Sequence, residues 1–339
     1  MDRAALEATA HALAAPGKGI LAADESNPTM GKRLSQIGMP NEERLRREFR
    51  ETLFTTSEME NYISGVILFD ETLRQSASNN RSMVEILQSK GVIPGIKVDG
   101  GAHSMDSAPD EKLTTGLDGL AERCTEYYTL GARFDKWRAV ITISDNLPSA
   151  ACVQANADAL ADYARISQGA GLVPIIEPEV LMDGTHSIAR CYEVSEWTLN
   201  TVYAALADRG VHLPGTLLKP SMVNSASDAD NRADVEKVAS ETLRCLKATA
   251  PAEVPGIMFL SGGQSETEAT AHLSAMNAMG GGPWELSFSY GRALQQSALY
   301  AWGGDSANCT TAQAAFLHRA QLNGAARYGS YTAAMEAEA

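Results

Sequence analysis

Thr216-Leu217-Leu218-Lys219-Pro220 reads as a short β-strand that carries one lysine. One β-branched and two apolar residues suit a strand covered on both faces, where an unpaired ammonium is costly. Lys219 therefore ends the strand with its amine in water, pairs with a buried carboxylate, or does chemistry. The surrounding sequence decides among these. Upstream, Leu172 to Val180 reads as a strand, and Ser187 to Arg209 as a helix stopped by Gly210. Downstream, Val235, Val238, Ala239, Thr242 and Leu246 fall at helical spacing. Gly256 to Leu260 is the next strand, and the helix after it ends at Gly280. Leu286 to Tyr290 is a strand again, Gly291 opens a helix toward Trp302, and a last helix runs from Ser306 to Gly324.

The same rhythm extends back to the N-terminus. A polar, Ala-rich helix stops at Ala15-Pro16-Gly17, and Gly19 to Ala23 is the first strand. A charged helix from Asn41 to Phe54 leads to a strand at Ser64–Phe69, and a helix at Ser82–Lys90 leads to one at Pro94–Asp99. Leu117, Leu120, Ala121, Cys124 and Tyr128 form a helical stripe capped by Gly131. Phe134 to Ile143 is a strand, and a long helix from Ser149 ends near Gly169 or Gly171.

Eight short strands, each followed by a helix, imply a parallel sheet. Eight repeats point to closure into a (β/α)8 TIM barrel, an α/β fold in which one core accommodates a chain of 339 residues. A doubly wound open sheet is the alternative, and no G-x-G-x-x-G follows the first strand to support it. No Pro/Gly/Ser-rich linker divides the chain. The expectation is one domain over residues 1–339, with extra helices at both ends and a tail from residue 325.

The formal charge is −14, from 42 acidic and 28 basic residues, and no basic cluster suggests a nucleic-acid partner. No signal peptide and no apolar run of about 18 residues is present, so neither secretion nor a membrane span is expected. Cys124, Cys152, Cys191, Cys245 and Cys309 lie far apart with neither zinc-like nor disulfide-like spacing, which fits reduced thiols in a cytoplasmic protein.

The polar residues inside the strands carry the chemistry. Side chains alternate faces with period two, so Lys97 and Asp99, Lys136 and Arg138, and Glu177 and Glu179 each share a face. Charges cannot sit cheaply under the helices, so these should point to the barrel axis near the C-terminal strand ends. With Lys219, Asp24 and Arg292 the set holds five cations and four anions, a balance a buried polar centre tolerates. An interior salt-bridge lattice without chemistry is the bland reading, but such interiors are normally filled by Val, Ile and Leu. A buried lysine among cations favours its neutral amine, which suits Schiff-base formation with a ketone. Glu177 and Glu179 can serve proton transfers, and Asp24 can take a hydroxyl proton.

Two loops suit phosphate. Ser261-Gly262-Gly263 offers unobstructed backbone N–H groups, and Ser289-Tyr290-Gly291-Arg292 sets an N–H cradle and an arginine at a helix start. The six histidines are scattered without H-x-x-x-H spacing, so no metal site is expected.

From Gly19 to Tyr331 these motifs resemble class I fructose-1,6-bisphosphate aldolase, the Schiff-base type. The matching pieces include Gly19-Ile20-Leu21-Ala22-Ala23-Asp24-Glu25-Ser26, Gly95-Ile96-Lys97-Val98-Asp99, Lys136-Trp137-Arg138 and Pro174-Ile175-Ile176-Glu177-Pro178-Glu179. Leu217-Leu218-Lys219-Pro220, Ser261-Gly262-Gly263-Gln264 and Ser287-Phe288-Ser289-Tyr290-Gly291-Arg292 continue them. The resemblance implies that Lys219 is the Schiff-base lysine, Glu177 the general acid/base and Glu179 a partner near the lysine. It implies that Asp24 handles the substrate C4 hydroxyl, with Lys136 and Arg138 lining the same site. Ser261, Gly262 and Arg292 would hold the C1 phosphate, with Gly291 contributing backbone, and Ser26, Thr29, Arg33 and Lys97 the C6 phosphate. The substrates implied are sugar bisphosphates and triose phosphates. No cofactor or metal is implied, and the expected assembly is a homotetramer. A second substrate, sedoheptulose 1,7-bisphosphate, stays open, as does a barrel that only binds sugar phosphates.

The chain departs from the family in places. Gly100 replaces a common lysine, and Asp135 replaces a small residue before Lys136, facing away from the axis by parity. The Asn27-Pro28-Thr29-Met30 segment reads as a loop that differs in detail. Family members that end in tyrosine fold it over the site, whereas the last tyrosine here is Tyr331 and Glu338-Ala339 follow.

Overall fold

Apolar residues recur with period two along one set of segments and with helical spacing along the segments between them. The computed structural model, which describes residues 2–106 and 108–337, folds them accordingly. The strands are β1 (Gly19–Ala23), β2 (Ile63–Leu68), β3 (Ile93–Lys97), β4 (Ala102–Met105), β5 (Ala108–Thr114), β6 (Phe134–Ile141), β7 (Val173–Val180), β8 (Leu217–Leu218), β9 (Gly256–Phe259) and β10 (Glu285–Tyr290). Eight close a barrel in the order β1-β10-β9-β8-β7-β6-β3-β2, and every neighbouring pair is parallel. The (β/α)8 expectation holds.

Alternation sorts the core into two. Ile20, Ala22, Ile67, Phe134, Val173, Ile175, Leu217 and Met258 fill the N-terminal half of the barrel's interior. Leu6, Ala10, Leu13 and Ala14 pack on them, so the helix Arg3–Leu13 stoppers that mouth. Phe134 crosses the axis so closely that a Cβ on Gly95 would lie 2.3 Å from its ring. Leu21, Leu68, Ile96, Trp137, Ile176, Leu218, Ile257 and Phe288 face outward into the layer under the helices. With one end plugged, polar side chains have room only at the C-terminal strand ends.

Several elements differ from the sequence expectation. The segment 27–30 is not a loop: Asn27–Gln36 is a helix with Ser26 extended at its N-cap and proline in its first turn, a position that wants no N–H donor. After β3 the chain forms the antiparallel β4–β5 hairpin, whose Thr114 Oγ1 donates to the Arg138 carbonyl at 2.7 Å. The last helix spans Cys309–Arg327, so the tail begins later than residue 325. Its end is held because Arg327 is buried, donates to the carbonyls of Lys18, Ala14 and Ala15 at 3.0–3.1 Å and pairs with Glu285. Glu338 and Ala339 lie outside the described residues. In the helix Leu120–Thr129 the buried face is Leu120, Cys124 and Tyr127; Tyr128 is exposed, with the Arg133 guanidinium 4.2 Å above its ring.

Candidate active site

Register brings the charged strand residues together. Lys97 lies beside Lys136, Arg138 beside Glu177, and Ile176 beside Leu218, which sets Lys219 next to Glu177. Pro220 has no N–H to continue the ladder. Ser221 bridges the gap, its hydroxyl accepting from the Val180 N–H at 3.0 Å and donating to the Val180 carbonyl at 2.8 Å. Lys136, Glu177, Glu179 and Lys219 are all buried.

One chain of opposite charges links them. Lys219 Nζ lies 3.2 Å from Glu177 Oε1, and Lys136 Nζ lies 3.2 Å from Glu177 Oε2 and 2.8 Å from Asp24 Oδ2. Asp99 stands 3.9 Å from Lys136 and 2.5 Å from Lys97. Glu179 pairs with Arg138. Burial works to raise the Asp24 carboxyl, but Lys136, Lys219 and Lys97 outweigh it and hold the pKa at about 2. Burial opposes the Lys136 ammonium, yet Asp24, Glu177 and Asp99 push its pKa above the usual lysine range. Lys136 is therefore a fixed cation at the centre of the site.

The end of β1 is clamped from two sides. Gln295 Nε2 donates to the Ala22 carbonyl at 2.7 Å and to Glu25 Oε1 at 3.0 Å, while buried Arg50 donates to the Glu25 carbonyl at 2.7 Å. Asp24 lies between these anchors. Glu25 also holds Arg33 at 3.1 Å, and Ser26 and Thr29 share a hydrogen bond of 3.1 Å at the start of the next helix.

The loops after β9 and β10 complete the rim. Gly262 (φ +46°) and Gly263 (φ +97°) take left-handed backbone, which glycine adopts without strain. Gly291 precedes the helix Arg292–Trp302, and buried Ser289 Oγ has no hydrogen-bond partner among the described residues.

Apart from Arg50 and Ser221, which support it from behind, these polar groups line one cleft of about 850 Å³. It gathers every residue that the sequence nominates: Asp24, Ser26, Thr29, Arg33, Lys97, Lys136, Arg138, Glu177, Glu179, Lys219, Ser261, Gly262, Ser289, Gly291 and Arg292. Seven cations and five carboxylates line it, so the cleft is locally positive in a chain of charge −14 and suits an anionic ligand. Sequence reading gave no role to Glu25, Gln295, Arg50 or Ser221. Their signal was weak, because each acts on backbone or on a partner distant in sequence. Of the histidines, His272 is buried with Nδ1 2.6 Å from Gln264, and His212 Nε2 lies 2.6 Å from Glu7.

A sequence profile described as fructose-bisphosphate aldolase class-I matches residues 5–339. The chain belongs to the class I fructose-bisphosphate aldolase family. It is 52% identical over 327 residues to a probable class 1 fructose-bisphosphate aldolase of Xanthomonas axonopodis pv. citri, covering 96% of this chain and 98% of the relative. It is 53% identical to a cytosolic fructose-bisphosphate aldolase of Arabidopsis thaliana, covering 96% and 91%. A solved Plasmodium falciparum fructose-bisphosphate aldolase, in complex with TRAP and a small-molecule inhibitor, superposes with a TM-score of 0.96 at 46% identity, covering 97% of this chain and 95% of that one. The class I family works through a lysine imine, and the cleft of this aldolase holds two buried lysines, Lys136 and Lys219. Among the described residues, Lys136 is held between three carboxylates, whereas Lys219 pairs with Glu177 alone.

Proposed function

We propose that Lys219 forms the Schiff base in this aldolase-family lyase, which cleaves fructose 1,6-bisphosphate reversibly into dihydroxyacetone phosphate and glyceraldehyde 3-phosphate. The observation that carries the assignment is the contact of Lys219 with one carboxylate, Glu177, whose other oxygen rests on Lys136. Glu177 takes a proton from the Lys219 ammonium, and the free amine adds to the C2 ketone. Glu177 returns the proton to the C2 hydroxyl, which leaves as water and gives the iminium. Asp24 sits at the end of β1, where it accepts the C4 hydroxyl proton. The C3–C4 bond then breaks, the aldehyde forms at C4, and the electron pair moves to the iminium to give an enamine. Protonation at C3 and addition of water release the second triose and restore the amine.

Lys136 keeps Asp24 ionised and stands between it and Glu177. Arg138, held by Glu179, faces the same opening. The two ends of the cleft take the phosphates: Ser261, Gly262, Ser289, Gly291 and Arg292 at one, and Ser26, Thr29 and Lys97 at the other, with Arg33 reaching toward Gly291, its Nη2 3.5 Å from where a Cβ on that glycine would lie. Ser289, buried and without a partner, has a hydroxyl free for a ligand oxygen. Two such ends favour a bisphosphate. The working form is a cytoplasmic homotetramer, a reading that rests on relatives named cytosolic and on the resemblance to the family; sedimentation as a monomer would overturn the tetramer.

Borohydride trapping tests the mechanism. Incubation with dihydroxyacetone phosphate, reduction and peptide mass spectrometry should place a single adduct on Lys219, and Lys219→Ala should lose both adduct and cleavage. An adduct on Lys136, or cleavage by Lys219→Ala, would refute the assignment.

A further inference from the structure

Asp135 turns its back on the cleft. It lies on β6 directly before Lys136 and is fully buried under the helices Leu120–Thr129 and Ala150–Gly169. Three donors converge on it. The Tyr163 hydroxyl reaches Oδ1 at 2.9 Å, Ser167 Oγ reaches Oδ2 at 2.6 Å, and Cys124 Sγ reaches Oδ2 at 3.6 Å. The cation on the helix side is Arg123, and its guanidinium is spent on the carbonyls of Val98 (3.0 Å) and Gly116 (2.5 Å). Asp99, two residues beyond β3, bears electrostatically on the Tyr163 hydroxyl. A buried carboxylate without a paired cation is expensive, and a small apolar residue would fill the position at less cost.

The geometry suggests a use. Tyr163 has one hydroxyl proton and two acceptors, Asp135 Oδ1 on β6 at 2.9 Å and the Ile175 carbonyl on β7 at 3.1 Å. Ile175 lies two residues before Glu177, and Asp135 one before Lys136. The node thus joins, from outside the barrel, the two strands whose inward side chains make the 3.2 Å Lys136–Glu177 contact. Ionised, Asp135 accepts the Tyr163 proton. Protonated, it can donate to the Tyr163 oxygen, and the tyrosine then donates to Ile175. The two states hold β6 and β7 differently.

We propose that Asp135 is a positioning residue for the cleavage reaction, setting the Lys136–Glu177 contact through Tyr163 according to its own ionisation. The proposal rests on the reading of Lys136 and Glu177 as reaction groups. Burial raises the Asp135 carboxyl to about 7, against the pull of Ser167, Tyr163 and Cys124, so the switch falls near neutral pH.

The test uses the full-length enzyme and the isosteric variant Asp135→Asn, which cannot ionise. Cleavage kcat and KM are measured from about pH 5.5 to about 8.5, with borohydride trapping alongside. In the parent, kcat falls on the acid side with an inflection near neutrality. In Asp135→Asn that inflection disappears and kcat above it drops about 10-fold, while KM stays within about twofold and the Lys219 adduct still forms. Tyr163→Phe removes the hydroxyl that joins Asp135 to Ile175, so it too loses the inflection, and it carries the test if Asp135→Asn does not fold. A parent-like profile in Asp135→Asn, or an inflection that persists in Tyr163→Phe, overturns the role of Asp135. An absent Lys219 adduct in the parent instead overturns the mechanism on which the proposal rests.

Discussion

Replacing Lys136 by methionine keeps much of the side chain's length and removes its charge. The ammonium stands 2.8 Å from Asp24, 3.2 Å from Glu177 and 3.9 Å from Asp99, and its side chain is 4% exposed. Removing one partner of a buried charge pair costs about 3–5 kcal/mol, because the groups left behind keep their desolvation penalty without the attraction. The pH dependence gives the loss a signature. In the parent, Asp24 titrates at about 2 in the fold, against 3.8 for a solvated aspartate side chain. A lowered carboxylate adds stability that is present above 3.8 and is lost as pH falls through 2, here about 2–3 kcal/mol. In Lys136→Met the largest attraction on Asp24 is gone and burial dominates, so its pKa moves above 3.8 and the sign reverses. The variant then gains stability as pH falls through the raised value toward 3.8. The difference in unfolding free energy should be about 3–5 kcal/mol at neutral pH and should shrink on acidification. Urea unfolding can be followed by the fluorescence of buried Trp137, which stacks on Tyr163 with ring centroids 5.5 Å apart. A difference below about 1 kcal/mol at neutral pH, or one that widens on acidification, would refute the account of Lys136 as the central cation.

Gly95→Ala forces a methyl toward the Phe134 ring, which lies 2.3 Å from the ideal Cβ position, and should destabilise the barrel by about 1–3 kcal/mol; Phe134→Leu in the same chain should recover part of that, and no recovery in thermal unfolding would sink the steric account. Asp135→Asn should also change stability: a carboxyl raised to about 7 adds stability that is full below 3.8 and lost as pH rises through 7, about 4 kcal/mol in all. The variant's unfolding free energy should therefore vary less between these limits than the parent's, and equal slopes would contradict the burial assigned to Asp135. A lysine iminium takes the electrons of the broken bond without a metal, so EDTA should leave cleavage unchanged; loss on chelation with recovery on adding a divalent cation would refute the imine mechanism.

Much of the fold was legible because its signals are local. Alternation along Lys136-Trp137-Arg138 and Glu177-Pro178-Glu179 depends only on strand geometry, and the structure keeps both pairs on the inner face. Breakers such as Ala15-Pro16-Gly17 and Gly210 punctuate the βα rhythm by their own backbone preferences. The helix at Asn27–Gln36 and the β4–β5 hairpin escaped for the complementary reason. An Asn-Pro start reads equally as a turn or as a helix N-terminus, and the hairpin's polar alternation is stabilised by contacts such as that of Thr114 with the Arg138 carbonyl.

The sequence by itself determined which residue types stand at the strand ends and which way they point, because side-chain direction follows from position along one strand. It could not determine which charge meets which. That Glu177 bridges Lys219 and Lys136, that Glu179 goes to Arg138, that Glu25 sits between Arg33, Arg50 and Gln295, and that Asp135 meets Tyr163 and Ser167 are properties of register and helix packing. Partners 28, 41 or 270 residues apart come within hydrogen-bond reach only when the barrel closes. A difference of about one ångström in that closure decides whether two buried charges attract across a contact or stand apart with their desolvation uncompensated.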